Sequence, residues 1–177
     1  MSSNDHVPNF GRPSWPGPIS QDDWRYPELD TALQVNLHVH RSTQAGHSSS
    51  RDHHWYIQWP RGFTRNGNTP IHRRLHVIQE QNLRGLGDLP HLTNWGALSV
   101  LPYGGSEGKD TVVVPVKVMT RQQRIQFEAI ANTTPVRRPN GVWNGQDWCK
   151  TVLEVAVSEG ILTTADLLRI VRMAESI

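Results

Sequence analysis

Leu33-Gln34-Val35-Asn36-Leu37-His38-Val39-His40 alternates apolar and polar residues without a break. That period of two marks a half-buried β-strand. Leu33, Val35, Leu37 and Val39 fall on one face, and Gln34, Asn36, His38 and His40 on the other. A second strand is expected from His54 to Trp59 within Asp52-His53-His54-Trp55-Tyr56-Ile57-Gln58-Trp59. There His53, Trp55, Ile57 and Trp59 share one face, and His54, Tyr56 and Gln58 the other. The stretch 61–70 is rich in turn formers, and Asn66-Gly67 is a hairpin signal. It predicts a return strand over Ile71–Gln79, followed by a connecting loop at 80–94. Gly96–Tyr103 and Thr111–Met119 read as two more strands with a bend at Gly104-Gly105. Pro115 cannot donate to a ladder, so the last strand is expected at an edge or with a bulge.

Helices occupy the C-terminal third. Thr120 is the expected N-cap of a helix reaching about Ala131, with Ile125, Phe127, Ala129 and Ile130 supplying apolar contacts. A second helix is predicted from Gly145 to Glu159, stopped by Gly160. A third begins at Thr163 or Thr164. Strands first and helices last make an α+β chain, an antiparallel sheet of about five strands followed by C-terminal helices. Residues 1–30 are set apart by Pro8, Pro13, Pro16, Pro18 and Pro27 and read as an extended arm. The arm carries Trp15, Trp24 and Tyr26, and disordered tails are poor in aromatics, so part of it is expected to pack on the single domain at 31–177.

The chain has 177 residues and 36% hydrophobic residues, enough for one sizeable core. Its mean hydropathy is -0.54. No apolar run approaches the roughly 20 residues that span a bilayer, and no basic-then-apolar leader opens the sequence. With a single cysteine there is no internal disulfide, and a cytoplasmic setting is expected. The net charge is +2, and the basic residues are scattered apart from Arg73-Arg74 and Arg137-Arg138. A nucleic-acid groove needs them clustered, so that partner is not expected. Neither a phosphate-binding glycine loop nor a dinucleotide fingerprint is present, so no cofactor is expected.

Chemistry points to Trp143-Asn144-Gly145-Gln146-Asp147-Trp148-Cys149, which opens the second helix. Thiol catalysis needs a thiolate, and a helix N-terminus favours one through its partial positive charge. A nearby histidine completes the ion pair and a third polar group orients it. A histidine strand placed before such a helix is the order of a circularly permuted papain-like fold. The chain resembles the lecithin–retinol acyltransferase-like branch of that fold in His54-Trp55-Tyr56-Ile57, in Ile71-His72 and in Asn144-Gly145-Gln146-Asp147-Trp148. It is also similar to a group of small fungal proteins whose helix opens with an Asn-Cys-Gln-Asp-Trp-like motif. The resemblance spans roughly residues 50 to 160. It implies a hydrolase or acyltransferase with His54 catalytic and His72 orienting it.

The departure is Gly145, which stands where the family has its cysteine. Cys149 lies four residues on, on the same helix face. It reads either as a relocated nucleophile or as one member of the apolar stripe Trp148, Cys149, Val152, Leu153, Val155 and Ala156. Gln146 and the backbone amides around 145–147 are candidates for holding an oxyanion or a ligand carboxylate, and the alternative is plain capping by Asn144. Without a thiol, His54 remains able to act as a general base, as in a cyclase or isomerase. A non-catalytic module is the competing class. Its ligand, a small molecule or a peptide, would lie in a cleft lined by Trp55, Tyr56, Trp59, Trp143 and Trp148 with Arg137 or Arg138 at the rim. A third class is a metal site built from His38-x-His40 with His54 or His72.

Overall fold

The computed structural model describes residues 5–12, 26–42, 49–81, 88–101 and 110–177. Trp15, Trp24, the Gly104-Gly105 bend and most of the polar loop after His40 lie outside them. The protein is α+β, with a five-stranded antiparallel sheet followed by three C-terminal helices. The strands are β1 (Leu33–His40), β2 (His54–Phe63), β3 (Pro70–Leu75), β6 (Ala97–Val100) and β7 (Thr111–Met119), in the order β6-β3-β2-β1-β7. Between β3 and β6, β4 (Ile78–Gln81) pairs with β5 (Asp88–Thr93) in a separate two-stranded sheet. The helices are α1 (Arg121–Thr133), α2 (Gly145–Ser158) and α3 (Thr164–Glu175). No helix among the described residues is long and apolar enough to cross a membrane.

Alternation in β1 places Val35, Leu37 and Val39 at zero exposure beneath the helices. Trp55, Ile57 and Trp59 of β2 and Val114 and Val116 of β7 extend that face. Phe127 and Ala131 of α1, Trp148, Cys149, Val152 and Leu153 of α2, and Ile170 of α3 close over it. Each fully buried Val, Leu, Ile or Phe on this face contributes about 1.5–3 kcal/mol relative to exposure. In α1 the buried stripe runs through Arg124, Phe127, Ile130 and Ala131, whereas Ile125 and Ala129 are exposed, contrary to the contacts expected for them. All three helices start with a capping box, at Thr120, Asn144 and Thr163.

Pro115 sits as its chemistry requires, on an edge strand and beside a bulge. Val35 pairs with Lys117 and Asn36 with Pro115, leaving Val116 as the extra residue. Arg169 of α3 donates to the carbonyl oxygens of Pro115 and Val116, both at 2.8 Å, which covers part of this edge.

Three expectations about β-structure need correction. The return strand does not run through to Gln79. It stops at Leu75, and Ile78–Gln81 belongs to the small sheet. The stretch expected as a loop at 80–94 contains β5, whose partner β4 precedes it closely in sequence. Asp88 and Pro90 weaken the strand pattern there, and cross-strand pairing overrides them. β2 also runs on past Trp59, because a bulge between Pro60 and Gly62 carries it to Phe63.

The N-terminal segment is joined to the domain by backbone bonds. Val7 N–H donates to Val136 O at 2.8 Å and Arg138 N–H to Asp5 O at 2.9 Å. Asn9, Phe10 and Gly11 then turn through left-handed conformations. At Gly11 a Cβ would lie 2.4 Å from Leu92 O, so no side chain fits. Farther on, Glu28 accepts from Trp59 Nε1 and from Arg124, a fully buried arginine that also donates to the carbonyls of Leu29, Thr31 and Met119.

Candidate functional site

The start of α2 and the start of β2 are fastened together by the residues that begin them. Asn144 accepts from Gln146 N–H at 2.9 Å, and its own side-chain amide donates to Arg51 O at 2.9 Å. Gln146 is buried and donates to the carbonyls of Ser50 and His53, at 2.6 and 3.0 Å. Asp147 receives Arg51 in a two-pronged ion pair at 2.7 and 3.1 Å, and also the Asn144 N–H at 3.0 Å. Burial would raise the Asp147 carboxyl, but these hydrogen bonds and the charges of Arg51 and Lys150 hold it below its ordinary value. Gln146 thus carries the segment 50–53 on the helix start. Its amide is spent there, which corrects its assignment as an oxyanion or ligand donor.

Beside this junction lies a cavity of about 290 Å³. His53, His54 and Trp55 from the head of β2 form one side, and Asn144 and Gly145 from the head of α2 another. Val77, Ile78, Gln79 and Leu92 complete the wall. His54 and Gly145 therefore meet the same space.

The histidine beside His54 is His76. Nδ1 of His76 lies 3.4 Å from Nε2 of His54, and the rings meet edge to face with centroids 5.6 Å apart. Burial, followed by the nearby charges of His54 and Arg74, lowers the His76 pKa to about 3. His76 is thus neutral at pH 7, with one donor and one acceptor nitrogen. Tyr56 lies next to the pair: its ring stacks on His38 at 4.9 Å and carries the Arg74 guanidinium 4.2 Å from its centroid. Arg74 is held in turn by Gln58 Oε1, at 3.2 and 3.1 Å.

Other candidates are placed elsewhere. His72 pairs with Pro60, six residues along β2 from His54, which is on the order of 20 Å at the strand rise. His72 is therefore not beside His54, as an orienting group would be; the histidine at that place is His76. Cys149 is fully buried, and its thiol lies 3.6 Å from Trp55 O. Burial pushes its pKa far up, so its nucleophile reading gives way to the core reading. Tyr56, Trp59 and Trp148 are buried and do not belong to the cavity wall. Trp59 Nε1 is taken by Glu28 and Trp148 Nε1 by Thr134 O, so the aromatic cleft reduces to Trp55. The Trp55 indole Nε1 is covered and has no hydrogen-bond partner. Trp143 and Arg137 line a separate groove outside α2 with Lys150 and Glu154. His40 bonds Thr111 Oγ1 at 3.0 Å, and no three His, Cys, Asp or Glu side chains among the described residues are grouped to hold a metal ion.

His76 had a signal in the sequence that residue-type patterns pass over. A hairpin turning at Asn66-Gly67 pairs residues whose numbers sum to a near-constant, and Ile57 pairs with Leu75. The next step puts His76 level with Tyr56, beside His54.

No family model, no curated protein and no solved structure matches this chain.

Proposed function

We propose that this chain follows a permuted papain-like plan without its thiol, and that it binds a small molecule in the cavity at the head of α2. His54 acts there as a general base on the ligand and His76 holds its ring. One observation carries the reading: His54 and Gly145, brought from distant parts of the sequence, line one cavity. Further support comes from the neutral His76 at 3.4 Å, which fixes the imidazole to which it is bonded. The reaction class that fits a base without a nucleophile is proton abstraction, as in an isomerase or cyclase. A reducing, cytoplasmic setting belongs to the same reading, supported by the single buried cysteine.

The test puts a thiol where the plan would have it. A Cβ on residue 145 meets only Val77 Cγ2, at 3.5 Å, so Gly145→Cys fits. The new thiol is expected to react with iodoacetamide at pH 6.5 well above the rate of an ordinary cysteine with pKa about 8.5. His54→Ala in the same background should abolish that excess. A thiol at 145 that behaves as an ordinary exposed cysteine, with or without His54, would remove the papain-like reading.

A second reading, binding without turnover, is favoured by Gly145 itself, since this site offers no side-chain nucleophile at the helix start. Loss of ligand binding with His54→Ala, without any chemical change in the ligand, is its signature.

A further inference from the structure

We propose that Gly145 sets the size of the cavity, and that the cavity takes a compact, uncharged, largely apolar molecule bearing one hydroxyl or comparable hydrogen-bonding group. This rests on the preceding reading that the cavity is the binding site, and adds the class of ligand.

Nothing in the backbone demands glycine at 145. It opens α2 and is absent from the residues with left-handed φ, unlike Gly11 or Gly96. A Cβ there would make one ordinary van der Waals contact, with Val77. Glycine is a poorer helix former than alanine, so local stability does not favour it either. What glycine does at this position is leave side-chain volume empty next to Val77, on the cavity wall.

The rest of the wall decides the chemistry. Trp55, Val77, Ile78 and Leu92 make it mainly apolar. Its charged residues are already satisfied by protein. Arg51 is paired with Asp147, and the Asp52 carboxylate accepts from Ser49 N–H at 3.1 Å. Asn144 is engaged at both ends of its amide, and Gln79 donates to Leu89 O. A charged ligand would leave water without a counter-charge waiting for it, which disfavours its binding. A neutral ligand with one polar group meets the apolar wall and the His54 imidazole. About 290 Å³ lies just below the roughly 300–1,000 Å³ typical of small-molecule sites, hence a compact ligand.

Three probes of one size separate the possibilities: benzyl alcohol, benzoate and benzylammonium, each titrated into the full chain by ligand-observed NMR. Benzyl alcohol is expected to bind at one site, with each ion weaker by at least about tenfold. Gly145→Leu should abolish binding and Gly145→Ala should retain it, with folding of both checked by circular dichroism. Benzoate or benzylammonium binding as well as the alcohol, at a site lost in Gly145→Leu, overturns the ligand class and leaves the cavity reading standing. Binding of no probe, or binding unchanged in folded Gly145→Leu, overturns the cavity reading itself.

Discussion

His54 and His76 meet edge to face, Nε2 to Nδ1 at 3.4 Å, although 22 residues separate them in the chain. The neutral state of His76 has a consequence for stability. Its pKa is about 3 in the fold against 6.5 for the free side chain, so the unfolded chain binds more protons between those values. Stability therefore falls as pH drops below 6.5, by up to about 1.4 kcal/mol per pH unit. Asp147 and Asp166, whose pKa values are lowered from 3.8, lose their contributions only at more acid pH. Urea melts at pH 7, 5.5 and 4.5 should show the decline in the wild type and a flatter profile in His76→Asn. Equal slopes in the two proteins would contradict a neutral His76.

Cys149 provides a check on the core reading of α2. The thiol is fully covered and its pKa is pushed up by burial alone. In native buffer at pH 7 it should resist iodoacetamide, and modification should appear only when urea unfolds the chain. Cys149→Ala is expected to cost about 1–2 kcal/mol, a small cavity in the core. Rapid native-state alkylation that depends on His54 would restore Cys149 as a nucleophile.

Glu28 is the counter-charge of a guanidinium with zero exposure. Removing it with Glu28→Ala leaves Arg124 buried among carbonyl oxygens, with the charge pair broken. Breaking such a pair costs about 3–5 kcal/mol. A thermal melt should register a large drop in Tm, and Glu28→Gln should recover only the hydrogen-bonding part of it. A change of a degree or two would mean that the Glu28 anchor contributes little.

Gln146 and Arg51 both tie 50–53 to α2, but with unequal weight. Gln146→Ala frees two carbonyl oxygens in a half-buried junction and should cost about 1–3 kcal/mol. Arg51→Ala breaks an ion pair that is partly in water, 41% and 27% exposed on its two sides, and should cost under about 1 kcal/mol. Denaturant melts of the two single variants test the order, and the reverse ranking would assign the junction to electrostatics.

By itself the sequence determined the features that depend on near neighbours. Alternation from Leu33 to His40 placed β1 and both of its faces, because side chains in a strand must point to opposite sides. Thr120 and Asn144 placed the starts of the first two helices, and the third to within one residue at Thr163 or Thr164, because a capping side chain reaches only two or three residues ahead. Pro115 announced an edge or a bulge, because it has no N–H to give, and the strand has both. Only the tertiary structure decided which histidine accompanies His54, since register brings His76 beside it and carries His72 some six residues away. Burial of Cys149, the pairing of β4 with β5 and the use of Gln146 as a tie to Ser50 and His53 were decided the same way. Each depends on groups far apart in the chain, whose meeting is settled by packing the whole sheet against its helices rather than by any local preference.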